Sequence, residues 1–335
     1  MHFVGLPLSV IPVFAFLVLL ILMDSFKLVP VRVVLLAIGV GCMAAIVALP
    51  MNTWLLEGFT LDPVVYRRYL APVLEEALKA AYVIFLIRTQ RVGFVIDAAI
   101  QGFAVGAGFA LFENVYYYLQ MHVDAGLFLW VVRGFGTAVI HGSTMAMFAT
   151  LTKSLSDRHG ALSPRFLMPG FALAVTVHSF FNHFLLHPLV MTALLLVVLP
   201  LLVIAVFDHS ERATRQWLGH GFDSDAEILE MITHGDVRQT RVGSYLQSLR
   251  SRFPAAVVAD LLCYLQIYVE LSMRAKTQMM AREAGVDLPL DDEVTASLEE
   301  LRYLNKAIGK TGKLAILPLL RTSSRDIWQL TMLRR

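Results

Sequence analysis

The chain has 335 residues, of which 57% are hydrophobic and only 16% are charged. Soluble domains carry roughly 25% charged residues, so this composition indicates an integral membrane protein and argues against an ordinary soluble enzyme. The net charge of +2 and the lack of a basic tract in the sequence give no indication of a nucleic-acid partner. Cys42 and Cys263 lie in different regions of the chain and predict neither a disulfide nor a metal site.

Apolar runs in the first two thirds of the chain predict about seven membrane-spanning helices, each close to the length that a helix needs to cross the hydrocarbon core. The runs are residues 3–23, 29–50, 69–87, 92–119, 127–151, 166–187 and 189–207. A helix satisfies its backbone hydrogen bonds internally, as a lipid bilayer requires. The fold class is therefore predicted to be all-α, a polytopic membrane helix bundle with a C-terminal soluble helical domain.

Ionisable residues become common after residue 207, which predicts a boundary at that point. Residues 1–207 would form the transmembrane domain, and residues 208–335 a cytoplasmic helical domain with a regulatory or packing role. Within the second domain, the acidic residues that begin at Asp291 predict the start of a helix.

Lysine and arginine in the short loops predict the orientation of the chain in the membrane. These residues are present in the first, third and fifth loops, whereas the loop from Gln120 to Gly126 has none. The distribution predicts an N-terminus outside and a C-terminal domain in the cytoplasm. Arg67 and Arg68 in the second loop are the exception to this pattern.

Several polar residues lie inside the predicted spans, where such residues are costly and usually functional. They are Glu75, Glu76, Lys79, Glu113, His141, His178 and Asn182. The helical spacing of residues 75–79 places Lys79 within reach of both glutamates. With a rise of about 1.5 Å per residue, Glu75 and Glu113 each lie about 9 Å from the predicted outer end of their spans. This shared depth predicts a common site in the outer half of the bilayer.

Each of these residues also has a structural interpretation. Glu76 and Lys79 could form a buried ion pair, and His141 could bridge two helices by hydrogen bonding. His178 and Asn182, one helical turn apart, could make interhelical hydrogen bonds of the same kind. The agreement in depth between several helices favours the functional interpretation of the group as a whole.

Two further features of the predicted spans concern packing. The small residues Gly102 and Gly106, followed by Gly108, predict the close approach of a neighbouring helix. Arg133 lies near the end of a span and is expected to extend its charged group toward the membrane surface.

The polar residues form an ordered set of motifs on successive spans. The run EEALK at residues 75–79 is followed by FALFEN at residues 109–114, by His141, and by His178 with Asn182 four residues later. This set resembles the EExxK and FAxxEN motifs and the later histidine motifs of the PrsW family of intramembrane proteases. The resemblance implies a peptidase in a bacterial inner (plasma) membrane that cleaves membrane-anchored proteins, with a role in regulated proteolysis of a signalling protein.

The wider superfamily includes the CAAX prenyl endopeptidases, whose motifs are EExxxR, FxxxH and HxxxN. Lys79 stands one place earlier than that arginine, and Glu113 replaces the histidine. Both departures favour the PrsW branch. The resemblance covers about residues 65–190, so it carries no implication for the C-terminal domain.

The chemistry that these residues permit leaves two routes open. The candidate catalytic residues are Glu75, Glu76, Lys79, Glu113, His178 and Asn182. Without a metal, Glu75 or Glu76 would activate a water, and His178 with Asn182 would bind the oxyanion. With a metal, Glu113, His141 and His178 would supply three ligands suited to Zn²⁺ and a glutamate would be the base.

Two other classes of membrane protein would carry a similar set of residues. A proton- or ion-coupled transporter also places carboxylates and histidines within its spans. The sequence shows neither an internal repeat nor a pair of glycine- or proline-broken helices, which are typical of transporters. A membrane lipid amidase would use the same groups on a lipid amide instead of a peptide.

Overall fold

The computed structural model describes residues 2–120, 126–160, 162–234, 236–286, 288–289, 292–320 and 323–333. Within these ranges the chain is predominantly helical and contains no β-strand, which confirms the predicted all-α class. The predicted helix start at Asp291 and most of the loop from Gln120 to Gly126 lie outside the described residues. The chain forms two compact units, Met1–Glu211 and Arg212–Arg335.

The first unit contains all of the residues that the sequence motifs single out. Its helices are α1 (His2–Leu22), α2 (Val31–Gly58), α3 (Pro63–Val65), α4 (Ala71–Arg88), α5 (Val95–Gln120), α6 (Leu127–Val131), α7 (Ala138–His159), α8 (Pro164–His183) and the first part of α9 (Pro188–Thr233). A π-helical segment, Tyr66–Leu70, joins α3 to α4, and a second, Val132–Thr137, joins α6 to α7. π-Helical segments are rare in proteins, and those that occur are often located at functional sites.

In its described residues, the second unit contains the remainder of α9 and five further α-helices. These are α10 (Arg241–Ser248), α11 (Ala255–Glu283), α12 (Asp292–Ala307), α13 (Gly309–Ile316) and α14 (Ser324–Met332). Buried apolar side chains of α11, among them Leu261, Leu265 and Met279, form part of its core together with Trp328 of α14.

Five helices in the described part of the chain are long and apolar enough to cross a membrane. They are α1, α2, α5, α9 and α11. Helices are present at each of the predicted runs, but α4, α7 and α8 fall short of this criterion because they carry the polar residues of the candidate site. The count of seven spans is therefore not confirmed. Neither is a soluble C-terminal domain, since α11 belongs to it.

Helix α5 lies at the centre of the first unit and packs against α2 and α7. A Cβ atom on Gly106 would collide with the carbonyl oxygen of His141 on α7. On another face of α5, a Cβ atom on Gly108 would collide with the carbonyl oxygen of Ile38 on α2. The predicted close approach at these glycines is confirmed, and at Gly106 it holds the backbone of His141 directly against α5.

Candidate functional site

The centre of the polar cluster is the carboxylate of Glu76 on α4, which is completely buried. Its Oε1 atom lies 2.6 Å from Lys79 Nζ and 2.7 Å from His178 Nδ1, and it accepts a hydrogen bond of 3.1 Å from Thr144 Oγ1. Its Oε2 atom is buried and has no hydrogen-bond partner among the described residues. Glu76 therefore joins α4 to α7 and α8.

His141 on α7 links this buried pair to Glu113 on α5. Its Nδ1 atom lies 3.1 Å from Lys79 Nζ, and its Nε2 atom lies 3.1 Å from Glu113 Oε2. Because an ammonium group can only donate hydrogen bonds, Nδ1 accepts from Lys79 and Nε2–H donates to Glu113. The His141 ring also packs edge-on against the ring of His178, with centroids 4.8 Å apart.

Arg133, in the π-helical segment before α7, holds Glu113 from the other side. Its Nη2 atom lies 3.5 Å from Glu113 Oε2, its Nε atom donates to Asn114 Oδ1 at 2.9 Å, and its guanidinium group stacks over Tyr117. Only 9% of Arg133 is exposed. The expectation that Arg133 reaches to the membrane surface is wrong, because α5 offers these partners inside the bundle.

The neighbouring glutamate, Glu75, points away from Lys79 and toward α2. Its Oε1 atom accepts a hydrogen bond of 3.1 Å from Asn52 Nδ2, and its Oε2 atom lies 3.9 Å from His178 Nε2. Asn52 in turn accepts a hydrogen bond of 2.7 Å from the hydroxyl of Tyr66. The side chain of Glu75 is 14% exposed, whereas that of Glu76 is not exposed at all.

Glu75 and Glu113 both line a cleft of about 370 Å³ between α2, α4 and α5. Other polar groups in its lining include Asn52, Glu57 and Arg67. Aromatic side chains of α5, including Phe112 and Tyr117, form much of the remaining wall. A polypeptide segment placed in this cleft would meet three carboxylates and an aromatic surface.

Asn182 does not join the cluster, although it lies one turn after His178 on α8. Its Nδ2 atom donates to the backbone carbonyl of Arg67 at 3.1 Å, and Ser179 Oγ donates to the carbonyl of Arg68 at 2.5 Å. Both acceptors belong to the π-helical segment before α4. The structure therefore places Asn182 where it positions that segment, away from His178 and the proposed oxyanion.

Three side chains bring possible metal-ligand atoms within 4.8 Å of one another: Glu75, His141 and His178. The carboxylate ligand predicted from the sequence was Glu113, and the structure brings Glu75 to the two histidines instead. Two imidazoles and one carboxylate are a ligand set that zinc takes in enzymes.

The surroundings of the two histidines also fit a metal site. Histidines that ligate metals usually donate their other N–H group to a carboxylate, as His178 does to Glu76 and His141 does to Glu113. The Nε2 atom of His178 is left facing Glu75. Since Lys79 engages Nδ1 of His141, binding of a metal through that nitrogen would require Lys79 to move.

Sequence reasoning missed three side chains that complete the site: Asn52, Tyr66 and Thr144. Asn52 lies beyond the predicted span 29–50, but α2 continues past Pro50 to Gly58. A polar residue just after a proline in an otherwise apolar stretch was a signal that could have been used. Tyr66 and Thr144 carry no such signal, because tyrosine and threonine are common in membrane helices.

Comparison with protein-family profiles matches residues 29–207 to the family described as PrsW family intramembrane metalloprotease. Comparisons with curated proteins and with solved structures gave no match. The matched region contains the buried Glu76–Lys79 pair, both site histidines and the cleft, and it covers more than half of the chain. The chain therefore belongs to the PrsW family of intramembrane metalloproteases, and it is an integral membrane peptidase that acts on protein substrates.

Proposed function

We propose that this peptidase hydrolyses membrane-anchored proteins at the cleft between α2, α4 and α5, with a divalent metal such as Zn²⁺ held by Glu75, His141 and His178. The observation that carries the proposal is the approach of these three ligand groups to within 4.8 Å at a cleft that also presents Glu113. When bound, the metal supplies Lewis-acid activation of a water and of the scissile carbonyl group.

Glu113 is the proton acceptor in this proposal. Its side chain is 25% exposed and lines the same cleft as Glu75. Arg133 and His141 both hold its Oε2 atom, which leaves Oε1 to face the substrate. Glu113 would take a proton from the attacking water and return it to the amine nitrogen when the peptide C–N bond breaks.

Glu76 and Lys79 form the scaffold of the site. Glu76 is fully buried and does not line the cleft. Its contact with His178 fixes the orientation of the imidazole ring that faces Glu75. This arrangement supports a division of roles within the EExxK motif: Glu75 contacts the reacting groups and Glu76 positions His178.

The cleft and the loop charges support a proposal for the substrate class and for the orientation of the chain. We place the N-terminus outside, the second unit in the cytoplasm, and cleavage in the outer half of a bacterial inner membrane. The aromatic wall of α5 suits an unwound segment of a single-span protein, and a membrane-anchored signalling protein is the substrate class proposed. The transporter and lipid-amidase interpretations gain no support from the family match.

The test uses the full chain in detergent or nanodiscs with a single-span peptide substrate. Metal content is measured by mass spectrometry, and cleavage is followed before chelation, after chelation and after zinc is returned. We expect the peptide to be cleaved, the chelator to abolish cleavage, and zinc to restore it. Undiminished cleavage by protein without metal would refute the metal assignment. A product map with cuts on the cytoplasmic flank would refute the proposed depth.

A matched pair of variants connects the metal to its proposed ligands. His178→Gln should lower bound zinc and turnover together, because it removes one of the three ligands. His220→Gln, on the exposed surface of α9 in the second unit, removes a histidine of no proposed role and should leave both unchanged. Equal zinc content in the two variants would show that His178 is not a ligand.

A further inference from the structure

We propose that Asn52 and Tyr66 are positioning residues that orient the carboxylate of Glu75 for the reaction. This inference rests on the proposed function, in which Glu75 contacts the reacting groups. Neither residue belongs to the motifs that identify the family, and they come from two different elements, α2 and the π-helical segment before α4.

The three side chains form a chain of hydrogen bonds whose direction is determined. An ionised carboxylate only accepts hydrogen bonds, so the Asn52 amide presents Nδ2 to Glu75 Oε1, at 3.1 Å. The amide oxygen of Asn52 then faces the hydroxyl of Tyr66, which donates to it at 2.7 Å. Tyr66 therefore holds the amide in the orientation that Glu75 requires, and the amide holds one oxygen of Glu75.

The other oxygen of Glu75, Oε2, is the one that remains available to bind the proposed metal. Oε2 lies on the side of His178 Nε2, at 3.9 Å. Lys79 contacts Glu76 and His141, and neither of these contacts involves Glu75. Asn52 donates a hydrogen bond to Glu75 and thereby holds its rotamer, and a carboxylate near a metal is usually held by such a second partner.

Tyr66 itself is held firmly enough to serve as an anchor. It is 3% exposed, and its backbone N–H donates to Asp62 O at 2.9 Å. The next two carbonyl groups along the π-helical segment accept from Asn182 and Ser179 of α8. This assigns Asn182 a purpose that differs from oxyanion binding: it secures the segment that carries Tyr66.

The experiment compares Asn52→Ala and Tyr66→Phe with Tyr69→Phe in the full-length protein. Tyr69 lies in the same π-helical segment but is 54% exposed and packs on His183, so its hydroxyl is a matched control. We expect Asn52→Ala and Tyr66→Phe to lower kcat by about tenfold to a hundredfold with little change in KM, as partners of metal-site residues do. The double variant should be no worse than Asn52→Ala alone, because both act through one chain.

A spectroscopic measurement separates positioning from simple helix bridging. The carboxylate stretching band of Glu75 is isolated by subtracting the infrared spectrum of Glu75→Gln from that of the wild type. We expect this band to shift in Asn52→Ala and in Tyr66→Phe but not in Tyr69→Phe. An unmoved band with unchanged kcat would overturn the proposal, even if the melting temperature falls.

Failure of the positioning role can be distinguished from failure of the proposed function. If the wild type cleaves peptide but binds no metal, the ligand assignment fails, while the infrared band and kcat still decide the role of Asn52 and Tyr66. If metal binding and cleavage are as proposed and these variants match the control, only the positioning role fails. If Asn52→Ala does not fold, Tyr66→Phe still tests the proposal, because it removes only a single oxygen atom.

Discussion

Glu75 and Glu76 are adjacent in α4, yet only Glu76 contacts Lys79, at 2.6 Å, while Glu75 opens into the cleft. Consecutive residues of a helix point about 100° apart, so the two carboxylates enter different surroundings. One is fully buried against the ammonium group of Lys79, the imidazole of His178 and the hydroxyl of Thr144. The other meets an amide of α2. Within a single motif, Glu75 is therefore placed for catalysis and Glu76 for holding the structure of the site.

Replacing each glutamate by glutamine should affect a different property: turnover for Glu75 and stability for Glu76. Glu75→Gln keeps the size of the side chain but removes the charged oxygen that is proposed to bind the metal, and turnover should fall by about a hundredfold or more while the protein stays folded. Glu76→Gln leaves Lys79 without its buried partner, which should lower the free energy of unfolding by about 3–5 kcal/mol. Turnover and thermal melting in detergent check both expectations.

The control for this pair is Glu300→Gln, an exposed glutamate of α12 in the second unit, which should alter neither quantity. Two active and equally stable site variants would remove any catalytic role for the motif.

A double-mutant cycle should measure the interaction energy of the buried Glu76–Lys79 pair. Lys79→Met alone leaves the Glu76 carboxylate buried without its cation, and it should destabilise the protein by about 3–5 kcal/mol. Combined with Glu76→Gln, the loss should be much smaller than the sum of the single losses, because residues in contact do not act independently. Melting of the four proteins gives the interaction energy. Losses that simply add would mean that the 2.6 Å contact contributes nothing to stability.

The convergence of the polar residues could be predicted from the sequence, but their exact partners could not. The presence of polar residues within successive spans correctly indicated that Glu76, Lys79, His141 and His178 lie together. The same reasoning failed for Asn182, since four residues along a helix advance about 6 Å and turn about 40° beyond one full turn. That small offset takes its amide from His178 to the backbone of the π-helical segment.

The remaining departures have local causes. Asn52 was missed because the apolar run ended at Pro50, whereas α2 accommodates that proline and continues for two further turns. Arg133 was assigned to the membrane surface because its partners, Glu113 and Asn114, lie on α5 and no local pattern reveals them. Span counting failed in part because the helices that carry the site are the least apolar ones.

Shortening the chain to end at Glu211 tests whether the second unit takes part in the chemistry. Every group with a proposed catalytic or metal-binding role lies before residue 190, so we expect the shortened protein to bind metal and cleave peptide. The measurement is cleavage of the single-span substrate together with metal content. Shortened protein that melts cooperatively and binds metal but does not cleave would make the second unit part of the catalytic unit.

The close approach of α5 and α7 at Gly106 should be essential for the site. A Cβ atom there would collide with the carbonyl oxygen of His141, and backbone cannot yield as a flexible side chain can. Gly106→Ala should therefore cost about 1–3 kcal/mol of stability, the usual penalty of overpacking. It should also displace His141 relative to Glu113 and Lys79, so turnover and zinc affinity should fall together.

Gly39→Ala is the matched control, since Gly39 lies inside α2 and a Cβ atom there would meet no other atom within 4 Å. This substitution should leave turnover unchanged and raise stability slightly, by up to about 1 kcal/mol, because alanine favours the helix more than glycine does. Melting temperature, kcat and zinc affinity of both variants decide the matter. If Gly106→Ala behaved like Gly39→Ala in all three measurements, the contact between α5 and the His141 backbone would not be what holds this histidine in place.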